Sequence, residues 1–237
     1  MKVNVNVWRR EKLAFWKRLR EDLEIGYLDR ELLPLILLIN MDAELYSTSS
    51  CSGRLIVMDA ETPWSREETS TIFKSHVPVK PEDLEFMYTL RHSKNLWLIV
   101  SGPIIHISAL KAKRAMEVLR IARSSGFKHS GIMHVSTTKG FFVELVTGIH
   151  VAQLIKTRDR VVVPKEELDV LVELFNRFLL ECKHRLQKLY LSLKSILPKV
   201  VDEELEQKAL KTFKPIISKT PLDIFFELCR ERKAQCS

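Results

Sequence analysis

Between residues 8 and 25, Trp16, Leu19 and Leu23 recur at spacings of three and four, with Leu13 and Phe15 beside them. That period predicts a basic amphipathic helix, closed by Gly26. A second helix is predicted over 29–41, with Asp29 as its N-cap. The pattern then changes. Residues 45–49 and 54–59 read as strands, and the polar row between them as a connection or an irregular edge. Thr62-Pro63-Trp64-Ser65 opens a predicted helix running towards His76, and 81–91 forms another with proline at its start. Strands are expected over 96–101 and 104–108, around Gly102-Pro103, followed by a helix over 109–125 that Gly126 ends. Residues 128–135, 141–146 and 149–155 alternate as strands, with Gly140 and Gly148 as turns. A short extension over 160–163 ends at Pro164. From 165 to 197 one apolar stripe, from Leu168 through Phe175, Cys182 and Leu189 to Ile196, predicts a helix about 50 Å long. Pro198 stops it, and 201–213 and 222–233 read as weaker, peripheral helices.

Helices and paired strands mixed in this way define an α+β fold: a mixed β-sheet with packed helices and a long C-terminal helix. Residues 1–197 are expected to form a single catalytic domain, with 198–237 as peripheral helices. The hydrophobic fraction, 46%, is enough for a substantial core at this length, and no apolar run approaches the roughly 18 residues of a membrane span. The N-terminus lacks the apolar centre of a secretion signal. Cys51, Cys182, Cys229 and Cys236 show neither disulfide-framework nor zinc spacing, so reduced thiols and a cytoplasmic protein are expected. No membrane or obligate protein partner is expected. A net charge of +8 makes a polyanion such as nucleic acid a fair partner, against plain surface solubility.

No two of the seven glycines lie two residues apart, which removes the dinucleotide fingerprint and the phosphate-binding loop as sequence motifs. There is no HExxH or H-x-H pair, and no metal is expected. What stands out is Ser47-Thr48-Ser49-Ser50-Cys51-Ser52-Gly53-Arg54. Short hydroxyls and backbone N–H groups can form an anion-binding concavity, Gly53 permits close approach, and Arg54 adds a planar fork suited to carboxylate or phosphate. The plain alternative is a serine-rich hairpin connection, which about four residues would satisfy. Cys51 reads as ligand-lining or structural, with a thiol nucleophile as the competing role. His76, at the end of FKSH, and His106, at the end of GPIIH, are the right residue type for a base near neutral pH. Against this, a histidine on an apolar strand is usually a satisfied core residue, and one at a helix end is usually solvated. The segment GFKHSGI, residues 126–132, is a polar bend into a strand, or simply a turn. Lys183, His184, Arg185 and Lys188 make a basic helix face, usually a solvated one.

Together these segments resemble the tRNA wybutosine-synthesising methyltransferase family, the third enzyme of that pathway in its archaeal form. The resemblance rests on S-x-S-S-C-x-G-R at 47–54 after LLIN, on FKSH, PIIH and GFKHSGI in that order, and on the strand pair and long helix that follow. It spans residues 9–192. One departure is Gln153-Leu154, where the family pattern has Pro-Leu. The resemblance implies a fold other than the Rossmann methyltransferase, S-adenosyl-L-methionine as cofactor, and the anticodon loop of tRNA(Phe) as partner. The acceptor it implies is the N-4 ring nitrogen of the aminocarboxypropyl-demethylwyosine base at position 37. It further implies that Ser47, Ser49, Ser50, Cys51, Gly53, Arg54, Ser130 and Gly131 bind cofactor or substrate. His76 or His106 would take the proton, His76 being preferred for its polar surroundings. The competing readings are a non-catalytic RNA-binding module and a thiol enzyme using Cys51.

Overall fold

The structure, a computed structural model, describes residues 2–64, 69–197, 201 and 203–217. In chain order these form helices α1 (Val5–Glu24) and α2 (Leu33–Met41), then strands β1 (Leu45–Cys51), β2 (Arg54–Ala60) and β3 (Ser70–Ser75). Next come the short helix α3 (Phe86–Thr89), strands β4 (Asn95–Ser101) and β5 (Ile104–Ala109), and helix α4 (Ala112–Ser124). Strands β6 (Gly131–Ser136), β7 (Gly140–Val146) and β8 (His150–Lys156) precede the helices α5 (Leu168–Lys194) and α6 (Glu203–Ile217). The chain divides into two compact units. One holds residues up to 52, 103–148 and those from 184 on; the other holds 53–102 and 149–183.

The first unit is built on an antiparallel sheet of order β1-β5-β7-β6. Alternation along its strands sends Ile105, Ile107, Val143 and Leu145 to one face, where all four are fully buried in the main core. Helix α2 packs in the same core and is buried from Leu33 to Asn40, so it is apolar on every side. Trp16, Leu19 and Leu23 of α1, one face of α4, the end of α5 and residues of α6 complete this core. Each such aliphatic side chain contributes roughly 1.5–3 kcal/mol on burial. Asp42 is fully buried and pairs with Arg114, whose other guanidinium nitrogen reaches Glu117 at 2.6 Å. Burial works against the Arg114 charge, but its bonds to Asp42 and Glu117 outweigh that and raise its pKa. Gly140 holds φ at +68°, and an added Cβ there would run into the Ala109 carbonyl oxygen.

The second unit carries an antiparallel sheet of order β3-β2-β4-β8. Leu55, Val57, Leu96, Leu98 and Val100 pack with Leu168, Val172, Phe175 and Leu179 of α5. Ile56, Met58, Ala60 and Ile99 form a smaller buried cluster. Strand β2 is therefore buried at every position after Arg54, and Leu55 to Met58 read as an unbroken apolar run. At its end Asp59 accepts hydrogen bonds from Ser93 N, Ser93 Oγ and Lys94 N at 2.8, 3.0 and 2.9 Å. Burial pushes the Asp59 pKa up, but these bonds prevail and hold it below the usual carboxylate range.

Three expectations need correction. The predicted helix towards His76 is replaced by strand β3 over its second half; Thr71, Ile72 and Phe73 favour the extended chain. Residues 65–68 of that prediction, and the predicted helix over 222–233, lie outside the described residues. Asp29 makes no side-chain cap on the helical turn that follows it; its Oδ2 instead accepts the Ser52 N–H at 2.7 Å. The basic face of α5 is half spent internally: Lys183 is buried, and Arg185 donates to the Gly126 carbonyl at 3.3 Å. The apolar stripe of α5 is as the period foretold, with Leu168, Val172, Phe175, Leu179, Cys182, Leu186, Leu189 and Leu193 all buried. No helix among the described residues is long and apolar enough to cross a membrane.

Candidate active site on the first sheet

Of the two expectations for the serine row the irregular edge holds and the connection does not: up to Cys51 the row is strand β1 itself, at the edge of its sheet. Its pairing with β5 carries a bulge: Ser47 faces Ile107 and Ser50 faces Ile105, so three steps along β1 match two along β5. In a regular strand Ser47 and Ser49 would share the core-facing side. The extra residue reverses the alternation, and Ser49 emerges on the face that bears His106. There Ser49 Oγ lies 2.7 Å from His106 Nδ1, and His106 Nε2 lies 3.0 Å from Glu144 Oε1. Since a carboxylate only accepts, Nε2 carries the proton towards Glu144, and Nδ1 accepts from the Ser49 hydroxyl. The register aligns these groups: His106 pairs with Glu144, and Glu144 with Gly131. His106 stacks on Phe142, which stacks in turn on His134, with ring centroids 5.3 and 4.7 Å apart. The His106 and Glu144 side chains are each about a quarter exposed, open enough to meet a ligand.

Beside this relay, Ser47, Thr48, Ser49 and Ser50 line a cavity of about 200 Å³. Its opposite wall comes from Arg18 and Asp22 of α1, with Tyr27 beyond the helix and an apolar floor of Leu19, Leu28 and Ile36. Asn40 sets the strand beneath it: its amide donates to Ser47 Oγ at 2.7 Å and to the Ile36 carbonyl at 2.8 Å, and its Oδ1 accepts the Ser47 N–H. Thr48 Oγ1 is buried and has no hydrogen-bond partner in the protein. Closed off from the cavity as well as from solvent, this hydroxyl costs stability where it stands.

The remaining candidates take other places. Ser130 is buried; its hydroxyl donates to the Phe127 carbonyl at 2.7 Å and accepts the Val146 N–H at 3.0 Å, tying the 126–132 bend to β7. Gly131 begins β6 with open space where a side chain would be. Cys51 ends β1 and is half-buried. In the second unit, Gly53 has φ +88°, and its carbonyl lies 3.0 Å from His76 Nδ1. Arg54 opens β2 with its side chain exposed. Glu144, Arg18 and Asp22 escaped the sequence reading. Glu144 did leave a signal, as a lone acid inside the apolar run FFVELV. Arg18 and Asp22 left none, because a charged pair four apart on a helix normally faces solvent.

A hydroxyl–imidazole–carboxylate chain beside a polar cavity can accept a proton from a group docked at Ser49. Fold and site thus define an α+β enzyme on antiparallel sheets, with no glycine-rich dinucleotide turn. The family model described as Methyltransferase TYW3 matches residues 10–195, and the chain belongs to this methyltransferase family. A relative from Saccharolobus solfataricus, named tRNA(Phe) 7-((3-amino-3-carboxypropyl)-4-demethylwyosine(37)-N(4))-methyltransferase, is 39% identical over 186 residues, covering 75% of this chain and 88% of the relative. One of the same name from Aeropyrum pernix is 32% identical over 165 residues, covering 70% and 87%. Among solved structures, the PH1069 protein from Pyrococcus horikoshii superposes with a TM-score of 0.74 at 29% identity, over 80% of this chain and 97% of that one. Family membership requires a methyl donor.

Proposed function

We propose that this chain transfers a methyl group from S-adenosyl-L-methionine to the N-4 ring nitrogen of the aminocarboxypropyl-demethylwyosine base at position 37 of tRNA(Phe). The observation that carries the chemistry is the Ser49–His106–Glu144 chain next to the serine-lined cavity. A cavity lined by three serines, an arginine and an aspartate suits the polar end of such a cofactor. When bound, the cofactor supplies a methyl group on positively charged sulfur, already activated for attack by nitrogen. What is left to the protein is alignment, exclusion of water, and removal of the proton that the ring nitrogen must lose.

His106 Nδ1 takes that proton, directly or through the Ser49 hydroxyl. Glu144 then faces an imidazolium and stabilises it, while holding the ring in the orientation that points Nδ1 at Ser49. His106 therefore replaces His76 as the favoured base. His76, 3.0 Å from the Gly53 carbonyl, positions the left-handed turn that precedes Arg54. The exposed Arg54 fork is suited to a phosphate of the anticodon loop, and the net charge of +8 favours the same polyanion. A base in that loop leaves its stack more cheaply than one in a duplex.

The test is incubation with S-adenosyl-L-methionine and tRNA(Phe) bearing the precursor base, followed by mass spectrometry of the nucleosides. One added methyl on that base is expected. An unmethylated base together with tight tRNA binding would instead mark a non-catalytic RNA-binding module.

A further inference from the structure

The cavity wall supplied by α1 is chemically unlike the serine wall opposite. Arg18 and Asp22 stand four residues apart with Arg18 Nη2 3.6 Å from Asp22 Oδ1, beyond a normal hydrogen bond. The Asp22 side chain is largely shielded, at 24% exposure, whereas Arg18 remains open at 58%. Main-chain bonds fix Asp22: its carbonyl accepts the N–H groups of Tyr27 at 2.7 Å and Leu28 at 2.9 Å. One wall thus offers a cation and an anion side by side, the other a row of hydroxyl-bearing residues, and the floor is aliphatic. The volume, about 200 Å³, lies below the roughly 300 Å³ at which small-molecule pockets begin, so a head group enters and the rest of its ligand stays outside.

We propose that this cavity is a subsite for an α-amino-acid zwitterion on a short aliphatic tether: Arg18 receives the carboxylate, Asp22 the ammonium, the serine wall hydrogen-bonds the head, and Leu19, Leu28 and Ile36 cover the methylenes. A lone phosphate would leave Asp22 facing an anion, and a lone amine would leave Arg18 facing a cation. A zwitterion satisfies both. Under the proposed function two molecules bring this head, the methionine portion of the cofactor and the 3-amino-3-carboxypropyl chain of the base. The subsite deepens that reading and rests on it for these two sources.

The experiment compares the intact protein with Arg18→Gln and Asp22→Asn. Calorimetry measures the Kd of S-adenosylhomocysteine and of methylthioadenosine, which lacks the amino-acid head. Kinetics measure KM for tRNA(Phe) with and without the aminocarboxypropyl chain on its base. If the cofactor fills the subsite, Arg18→Gln and Asp22→Asn each weaken S-adenosylhomocysteine about 10- to 100-fold and leave methylthioadenosine unchanged. If the base fills it, cofactor affinities hold and KM rises by a similar factor only for tRNA carrying the chain. Folded variants that match the wild type in both arms overturn the subsite and leave the methyltransferase reading intact. Wild-type protein that separates the two nucleosides but transfers no methyl group overturns the methyltransferase reading and supports the subsite. Wild-type protein that does neither overturns both.

Discussion

The two sheets are alike in size and direction, four antiparallel strands each, yet they spend their polar residues differently. In the β3-β2-β4-β8 sheet the main acid, Asp59, is fully committed: three donors from Ser93 and Lys94 hold a loop against the strand end. In the β1-β5-β7-β6 sheet the acid Glu144 holds a histidine, and the histidine holds the hydroxyl of the exposed Ser49. A polar chain that closes on the backbone stabilises; one that ends in an exposed hydroxyl is available for chemistry.

The contrast breaks most sharply at His106. His106→Ala is expected to lower kcat about 10²- to 10⁴-fold with an unchanged melting temperature, in single-turnover methylation assays. Glu144→Gln should cost less, since the imidazole survives but loses its anionic partner. A larger loss from His76→Ala than from His106→Ala would reverse the assignment of the base.

Asp59→Ala tests the other sheet. It should destabilise by about 2–4 kcal/mol in urea titrations, because it strands donors that charge-assisted bonds now satisfy, and leave kcat unchanged. The pH dependence follows from the sign of the shift. A carboxylate whose folded pKa lies below its ordinary 3.8 gives stability that is whole above 3.8 and lost as pH falls through the lower folded value. Asp59→Asn should therefore flatten the stability profile in that acidic window and leave its shape near neutrality alone. Gly140→Ala should cost about 1–3 kcal/mol through its positive φ and the Ala109 carbonyl, read as a lowered melting temperature. The exposed ion pair Arg158–Glu61, at 2.6 Å, sets the floor of the series: Arg158→Ala should shift stability by less than about 1 kcal/mol.

Periodicity disclosed most elements, because the core is periodic: the α5 stripe, the apolar run of β2 and the alternation in β7 each bury the residues their spacing selects. The failures share a cause. Residues 70–75 form β3 because pairing with β2 overrides a proline-led start that resembles a helix. Asp29 has the chemistry of a cap, but Ser52, far along the chain, claims its carboxylate. The serine row was visible as composition, and His106 as a residue type. That they meet depends on a bulge and on strand register, neither of which has a local signature. Arg18 and Asp22 were hidden because an i, i+4 ion pair looks the same on any exposed helix.

The bulge in β1 is where this strand absorbs an extra residue, since Thr48 and Ser49 together stand against the single position of His106. Loss of Thr48 would close the bulge and leave Ser49 opposite His106 and on its face, with Ser47 and Ser50 still turned to the core side. Loss of Ser49 would set Thr48 in that place and keep a hydroxyl there. Among related chains, then, a one-residue gap at 48–49 preserves both faces of the sheet, whereas the same gap elsewhere in a paired strand reverses the residues to one side of it.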